Sequence, residues 1–214
     1  MSPDRFSADR LRLYLVADPD HTATDFDSMI AGAIHGGITA LQLRAKTWSD
    51  RETLAVATWL AQMCRSAGVL FLINDRVDLA VASCGDGVHL GVDDVPIDVA
   101  RQLGGPDFAI GYSPESDEQT AASADRGANY LGVGPVFGTA TKDDAGPPIG
   151  LETITRRASL AGIPVIGIGG ITAANAGSVI TAGAVGVAVA SAITGAVDPE
   201  AAARSIRAEV DRHL

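Results

Sequence analysis

Short apolar runs and longer amphipathic stretches alternate along the whole of this 214-residue chain. The runs are Leu13–Ala17, Ala40–Leu43, Val69–Ile73, Gly87–Leu90, Phe108–Gly111, Tyr130–Val133, Pro164–Ile168 and Ala184–Ala190, and Gly, Asp or Asn punctuate them. Runs of this length, rich in Val, Ile and Leu, predict strands buried on both faces. Helical patterns fill the gaps. Asp25–His35 starts acidic and stops at Gly36-Gly37, as a helix with a glycine C-cap does. Ser49–Ser66 opens with the capping-box spacing Ser49 to Glu52 and closes at Gly68. Thr172–Thr181 is expected to start from a Thr N-cap, and Pro199–His213 follows the cap candidate Asp198.

Eight strands, each followed by a helix and with no linker between halves, imply a parallel sheet covered by helices. The choice between an open sheet and a closed barrel rests on where the polar residues fall. Gln42/Arg44/Lys46, Asn74/Asp75, Asp94, Ser113, Thr139–Lys142, Gly169-Gly170 and Ser191 each follow an apolar run. Such groups converge only if the strands form a ring, at its C-terminal mouth, whereas an open sheet concentrates its site at one switch point. The expected fold is a single α/β domain over residues 1–214, a compact (β/α)8 TIM barrel with residues 1–10 as an N-terminal extension.

Composition narrows the function. The formal net charge is −10, from 16 Lys+Arg against 26 Asp+Glu. That balance argues against nucleic acid and against an anionic membrane surface, so an anionic ligand must be held by a local site. No window reaches the roughly 18 apolar residues of a membrane span, and Met1–Arg10 lacks an apolar signal segment. A cytoplasmic protein is the expectation, with a homo-oligomer left open. Cys64 and Cys84 form neither a disulfide framework nor a CxxC pair and are both expected as small buried thiols.

If the strand conformation continues, Gln42, Arg44 and Lys46 share one face and make an anion clamp. Asp75 and the pair Asp93-Asp94 stand at adjacent strand ends, which suits Mg2+ with its few protein oxygens. Asp75 could equally cap the following helix, and either of Asp93 and Asp94 could cap a turn. Thr139, Thr141 and Lys142 open a long loop and form a second anion-binding set. Gly169-Gly170 after the seventh run and Ser191 after the eighth, before a short extra helix, match the recurrent phosphate site of barrels. His89, between apolar neighbours, reads as a satisfied core histidine, and His21, His35 and His213 as surface residues. Two phosphate sites and a divalent metal, with no strong nucleophile, fit group transfer from a diphosphate.

The motifs QLRAK (42–46), INDRVDLA (73–80), GDGVHLGVDD (85–94), GPVFGTATK (134–142), GLE (150–152), PVIGIGGI (164–171) and VASAI (189–193) together resemble the thiamine-phosphate synthase family. The resemblance covers nearly the whole chain. It implies joining of a hydroxymethylpyrimidine diphosphate to a thiazole phosphate, with release of diphosphate through a dissociative, Mg2+-assisted substitution. It implies that Gln42, Arg44, Lys46 and Asn74 bind the pyrimidine diphosphate and that Asp75 and Asp94 hold Mg2+. Ser113 would contact the pyrimidine and Lys142 its diphosphate, and Lys142, Arg44 and Ser113 are the residues expected to act on the reacting groups. Thr139, Thr141, Gly170, Ala190 and Ser191 would cradle the thiazole phosphate.

One position departs from the family, which commonly carries a His two residues after the Ser of strand five; here it is Glu115. A thiazole tautomerase relative leans on that His, so Glu115 argues against this rival. A non-catalytic barrel sensing one phosphate would not require the clamp and the paired Asp. A carbocation must be shielded from water, so residues 139–149, flanked by Gly138 and Gly150, are expected to act as a lid.

Overall fold

The computed structural model describes residues 6–138 and 146–214. Thr139, Thr141 and Lys142, with most of the expected lid, lie outside the described residues. Eight strands close into a barrel in sequence order: β1 (Leu13–Ala17), β2 (Ala40–Leu43), β3 (Leu70–Asn74), β4 (Gly87–Leu90), β5 (Ala109–Tyr112), β6 (Tyr130–Val133), β7 (Val165–Ile168) and β8 (Gly186–Val189). Every neighbour is parallel, and β8 pairs with β1 to complete the ring. Around it, among the described residues, run α1 (Phe26–His35), α2 (Asp50–Ala67), α3 (Val77–Ala82), α4 (Ile97–Gly104), α5 (Asp117–Ala122), α6 (Gly150–Leu160), α7 (Ala176–Thr181), the single turn α8 (Ser191–Thr194) and α9 (Pro199–His213). The expected (β/α)8 TIM barrel is the observed fold.

Period-2 alternation sorts each strand into two cores. Leu13, Leu15, Leu41, Leu43, Leu131 and Val133 face the helices. Tyr14, Val16, Ala40, Leu72, Tyr130 and Ile166 fill the barrel interior. A 3-10 turn, Ala8–Leu11, precedes β1, and its Leu11, fully buried, joins that interior cluster with Phe6 packed alongside.

Local signals set the helix ends. Ser49 and Glu52 make the reciprocal capping box, and Gly68 ends α2 in the left-handed region at φ 72°. Asp198 accepts from the Ala201 amide at 2.9 Å with Pro199 in the first turn of α9. Two expectations are corrected. Helix α7 begins at Ala176, not at Thr172, because the Asn175 side chain takes the Thr172 amide at 2.8 Å and donates to the Gly170 carbonyl at 3.0 Å. Those bonds hold residues 171–175 as a turn in competition with the helix. Cys64 is buried and its thiol is pushed up to about 12 by burial, but Cys84 is exposed. Cys84 sits at φ 57° in the turn after α3, where Arg65 takes its carbonyl at 2.9 Å and the side chain faces water. No helix among the described residues is long and apolar enough to cross a membrane.

Candidate active site

Inside the barrel a chain of hydrogen bonds links five strands' worth of polar side chains. Gln42 Nε2 on β2 donates to Tyr14 Oη on β1 at 2.9 Å, and Tyr14 Oη meets Tyr130 Oη on β6 at 3.0 Å. Tyr130 Oη meets His89 Nδ1 on β4 at 2.9 Å, and His89 Nε2 meets Ser113 Oγ, just past β5, at 2.8 Å. Alternation points each of these side chains inward, and ring closure makes them neighbours. Glycines make the space: a Cβ at Gly111 would lie closer than 3.0 Å to Tyr130 and His89.

Burial keeps this chain neutral. It pushes Tyr14 and Tyr130 well above the ordinary phenol value. It also pushes His89 down to about 4 against the opposing pull of the Asp94 charge. His89 retains some exposure, but both of its ring nitrogens have hydroxyl partners. A neutral imidazole has one donor and one acceptor, so it relays between Tyr130 and Ser113 without carrying charge. The result is a polar, uncharged chain in the barrel interior, buried at Gln42, Tyr14 and Tyr130 and partly exposed at His89 and Ser113.

The charged groups stand above it at the strands' C-terminal ends. Strand β2 ends at Leu43, so its alternation does not carry Gln42, Arg44 and Lys46 onto one strand face. Gln42 is buried with Tyr14, while Arg44 Nη1 pairs with Asp18 Oδ2 at 3.1 Å and Lys46 Nζ with Asp75 Oδ2 at 3.6 Å. Asn74 ends β3 opposite His89, and the Asp75 amide donates to the His89 carbonyl at 2.9 Å. Asp75 is at φ 63° and does not cap α3, whose N-cap is Arg76. Asp94 is half-buried, with its Oδ2 accepting from the Gly91 amide at 2.6 Å, while Asp93 is exposed.

Burial, and then the neighbouring Asp94, hold the Asp75 carboxyl above the usual carboxylate range, with Lys46 pulling the other way. A cavity of about 270 Å3 opens at this corner, lined by Lys46, Asn74, Asp75, Trp48, Asp50 and Arg76 over Leu43, Ile73 and Leu79. Arg76 is already committed to Asp50 and Asp78. Among the described residues no group of three or more His, Cys, Asp or Glu gathers as a metal site.

Across the mouth, Gly169 (φ 98°) and Gly170 (φ 63°) turn the chain after β7. A side chain at Gly170 would press on the Gly138 carbonyl and on Phe137. Ala190 is the N-cap of α8 and its carbonyl takes the Ile193 and Thr194 amides, each at 2.9 Å, with Ser191 opening the turn. The structure thus brings Gln42, Arg44, Lys46, Asn74, Asp75, Asp94 and Ser113 to one side of the mouth and Gly170, Ala190 and Ser191 to the β7–β8 side. Sequence reasoning missed Tyr14, Tyr130, Asp18 and Arg157. The buried Arg157 of α6 donates to the carbonyls of Pro114 (2.6 Å) and Glu115 (2.7 Å) and so anchors the loop carrying Ser113. The side chain of Glu115 itself is exposed.

A closed parallel barrel with cations and carboxylates at the C-terminal ends of its strands, and a neutral polar chain in its interior, defines a small-molecule enzyme of the (β/α)8 class. Sequence comparison then specifies which. The chain belongs to the thiamine monophosphate synthase family, whose model matches residues 13–193. It is 46% identical over 206 residues to the thiamine-phosphate synthase of Roseiflexus castenholzii, covering 96% of this chain and 90% of that one. The thiamine-phosphate synthase of Roseiflexus sp. (strain RS-1) is 48% identical over 182 residues, 85% of this chain and 77% of the relative. The fold is similar to that of thiamine phosphate pyrophosphorylase from Pyrococcus furiosus, with a TM-score of 0.88 and 38% identity over 97% of this chain and 98% of that one. Within this family the chain is an enzyme, a transferase of thiamine biosynthesis.

Proposed function

We propose that the enzyme couples 4-amino-2-methyl-5-hydroxymethylpyrimidine diphosphate with 4-methyl-5-(2-phosphooxyethyl)thiazole to give thiamine phosphate and diphosphate. The observation that carries the reading is the placement of a neutral hydrogen-bonding wall directly beneath a charged rim. A heterocycle with an exocyclic amine matches the first and its diphosphate the second. Gln42 and Ser113 orient the ring; Arg44, Lys46 and Asn74 take the diphosphate oxygens. Arg44 and Lys46 are held at the rim by Asp18 and Asp75, so little side-chain freedom is lost when ligand binds.

Asp75 and Asp94 fit Mg2+: the Asp94 carboxylate lies close enough to make the charged form of Asp75 more costly, and a cation between the two offsets that cost. When bound, that ion supplies positive charge against the leaving diphosphate. The carbon–oxygen bond from the pyrimidine methylene to the diphosphate breaks, and both electrons leave with the diphosphate. The thiazole nitrogen lone pair then forms the new carbon–nitrogen bond. No protein nucleophile is required, and the neutral His89 chain does not offer one. Gly170, Ala190 and Ser191 hold the thiazole phosphate through backbone amides and a hydroxyl, with Thr139 and Thr141; Lys142 adds a cation to the diphosphate.

The test is to mix purified protein with both substrates and Mg2+ and to assay thiamine phosphate and diphosphate. Stoichiometric product is expected, and Asp75→Asn or Asp94→Asn should raise the Mg2+ requirement with little change in folding. No product at saturating substrate overturns the assignment; full activity of both variants in chelator overturns the metal site alone.

A further inference from the structure

We propose that Phe6, at the end of the barrel opposite the polar mouth, is a positioning residue that sets the pocket wall through Tyr130. The proposal deepens the reading above and rests on it for its kinetic readout. Phe6 lies on the Tyr130 ring with centroids 5.7 Å apart and planes 9° from parallel. Tyr130 is fully buried, with Tyr14 tilted at 6.0 Å and His89 tilted at 5.5 Å from it. Its single hydroxyl oxygen serves both Tyr14 and His89. One arm of the chain therefore runs from Tyr130 to Gln42 and the other from Tyr130 to Ser113. Where that oxygen sits decides the position of both groups assigned to the pyrimidine.

Leu11, Ala109 and Ile166 share the interior cluster with the ring, and Tyr14 and His89 meet it at a tilt, so neither of these aromatic neighbours stacks on its face. Gly111 gives it room and no side chain to lean on. Phe6 supplies the missing flat surface, and it is itself fixed. Ser7 caps the turn that follows, and Leu11 of that turn is buried in the same interior cluster. Arg12 ties the segment to Asp9 and to Asp211 of α9. A plug that only excluded water from the barrel floor could be any apolar side chain. A parallel stack constrains the plane of Tyr130 as well, and hydrogen bonds to Tyr14 and His89 weaken as that plane tilts.

The experiment compares Phe6→Leu, which keeps apolar volume, with Phe6→Ala and Phe6→Tyr in the full chain. Losing the aligned bonds to the pyrimidine should raise its KM about tenfold in Phe6→Leu while the thiazole phosphate KM changes by less than about twofold. Phe6→Tyr, which keeps the ring, should restore the wild-type ratio. In parallel, imidazole nitrogen NMR spectra are recorded at one pH without substrates. The His89 resonances should shift or broaden in Phe6→Leu and Phe6→Ala, while those of His21, His35 and His213 stay in place. Unmoved His89 resonances overturn the proposal, as do two KM values that rise together. A wild-type protein that makes no thiamine phosphate would defeat the functional reading instead, and the His89 spectra would still decide the role of Phe6.

Discussion

Two interior glycines on the neighbouring strands β5 and β6, Gly111 and Gly132, should respond very differently to the same added methyl group. In a strand, Gly→Ala by itself stabilises by roughly 0.5–1 kcal/mol, because alanine has less backbone freedom to lose. At Gly111 a Cβ would come closer than 3.0 Å to Tyr130 Cζ, Tyr130 Oη and His89 Nδ1. Tyr130 cannot retreat, because Phe6 is stacked on it and Tyr14 and His89 flank it. Overpacking of this kind costs about 1–3 kcal/mol, and the displaced Tyr130–His89 hydrogen bond adds about 1 kcal/mol. After the backbone gain is set against this, Gly111→Ala should be destabilised by about 1–3.5 kcal/mol.

At Gly132 the same Cβ meets His89 Cε1 at 3.0 Å and His89 Nε2 and Ser113 Oγ at 3.3 Å. A shift of a few tenths of an ångström relieves those contacts, so Gly132→Ala should stay within about 1 kcal/mol of wild type. Its activity should still fall, since the methyl presses on the His89–Ser113 bond. Urea unfolding and thermal melts read the difference; for a domain of this size about 2–4 °C accompanies each kcal/mol, so Gly111→Ala should melt roughly 2–14 °C lower. Equal stability of the two variants, or a Gly111→Ala protein as stable as wild type, would refute the packing argument.

Arg157→Met removes two short bonds to the Pro114 and Glu115 carbonyls and leaves those oxygens unpartnered, which should cost about 3 kcal/mol in urea unfolding. A loss below about 1 kcal/mol would mean that the loop carrying Ser113 is held by other contacts. His89 titrates at about 4 in the folded protein against its ordinary 6.5. The unfolded chain therefore takes up that proton first, and stability should fall by up to about 3 kcal/mol as pH drops from 6.5 toward 4, then level off. The difference in pH slope between wild type and His89→Gln isolates this contribution; identical slopes would falsify it. Ser49→Ala breaks the capping box of α2 and should cost about 1 kcal/mol, measured by the same unfolding curves.

The sequence by itself determined the eight strands, most of their boundaries and the caps of α2 and α9. These signals are local: a period of two, a Ser-to-Glu spacing or a glycine past a helix acts within a few residues. It also determined that polar groups would crowd the strand ends, and from that the barrel. Where local signals competed, as at Thr172 and Asn175, the side chain that bonded more backbone groups decided the turn. Only the tertiary structure decided what those groups do to one another. Tyr14 and Tyr130 look like core aromatics in the sequence, yet ring closure brings hydroxyls 116 residues apart to 3.0 Å. Closure likewise gives Arg44 and Lys46 the carboxylates of Asp18 and Asp75 and places Asp94 where it alters Asp75. Alternation says which side chains point inward, but the register between strands says which of them meet. That register is set by the sum of packing around the whole ring and is written in no single stretch of it.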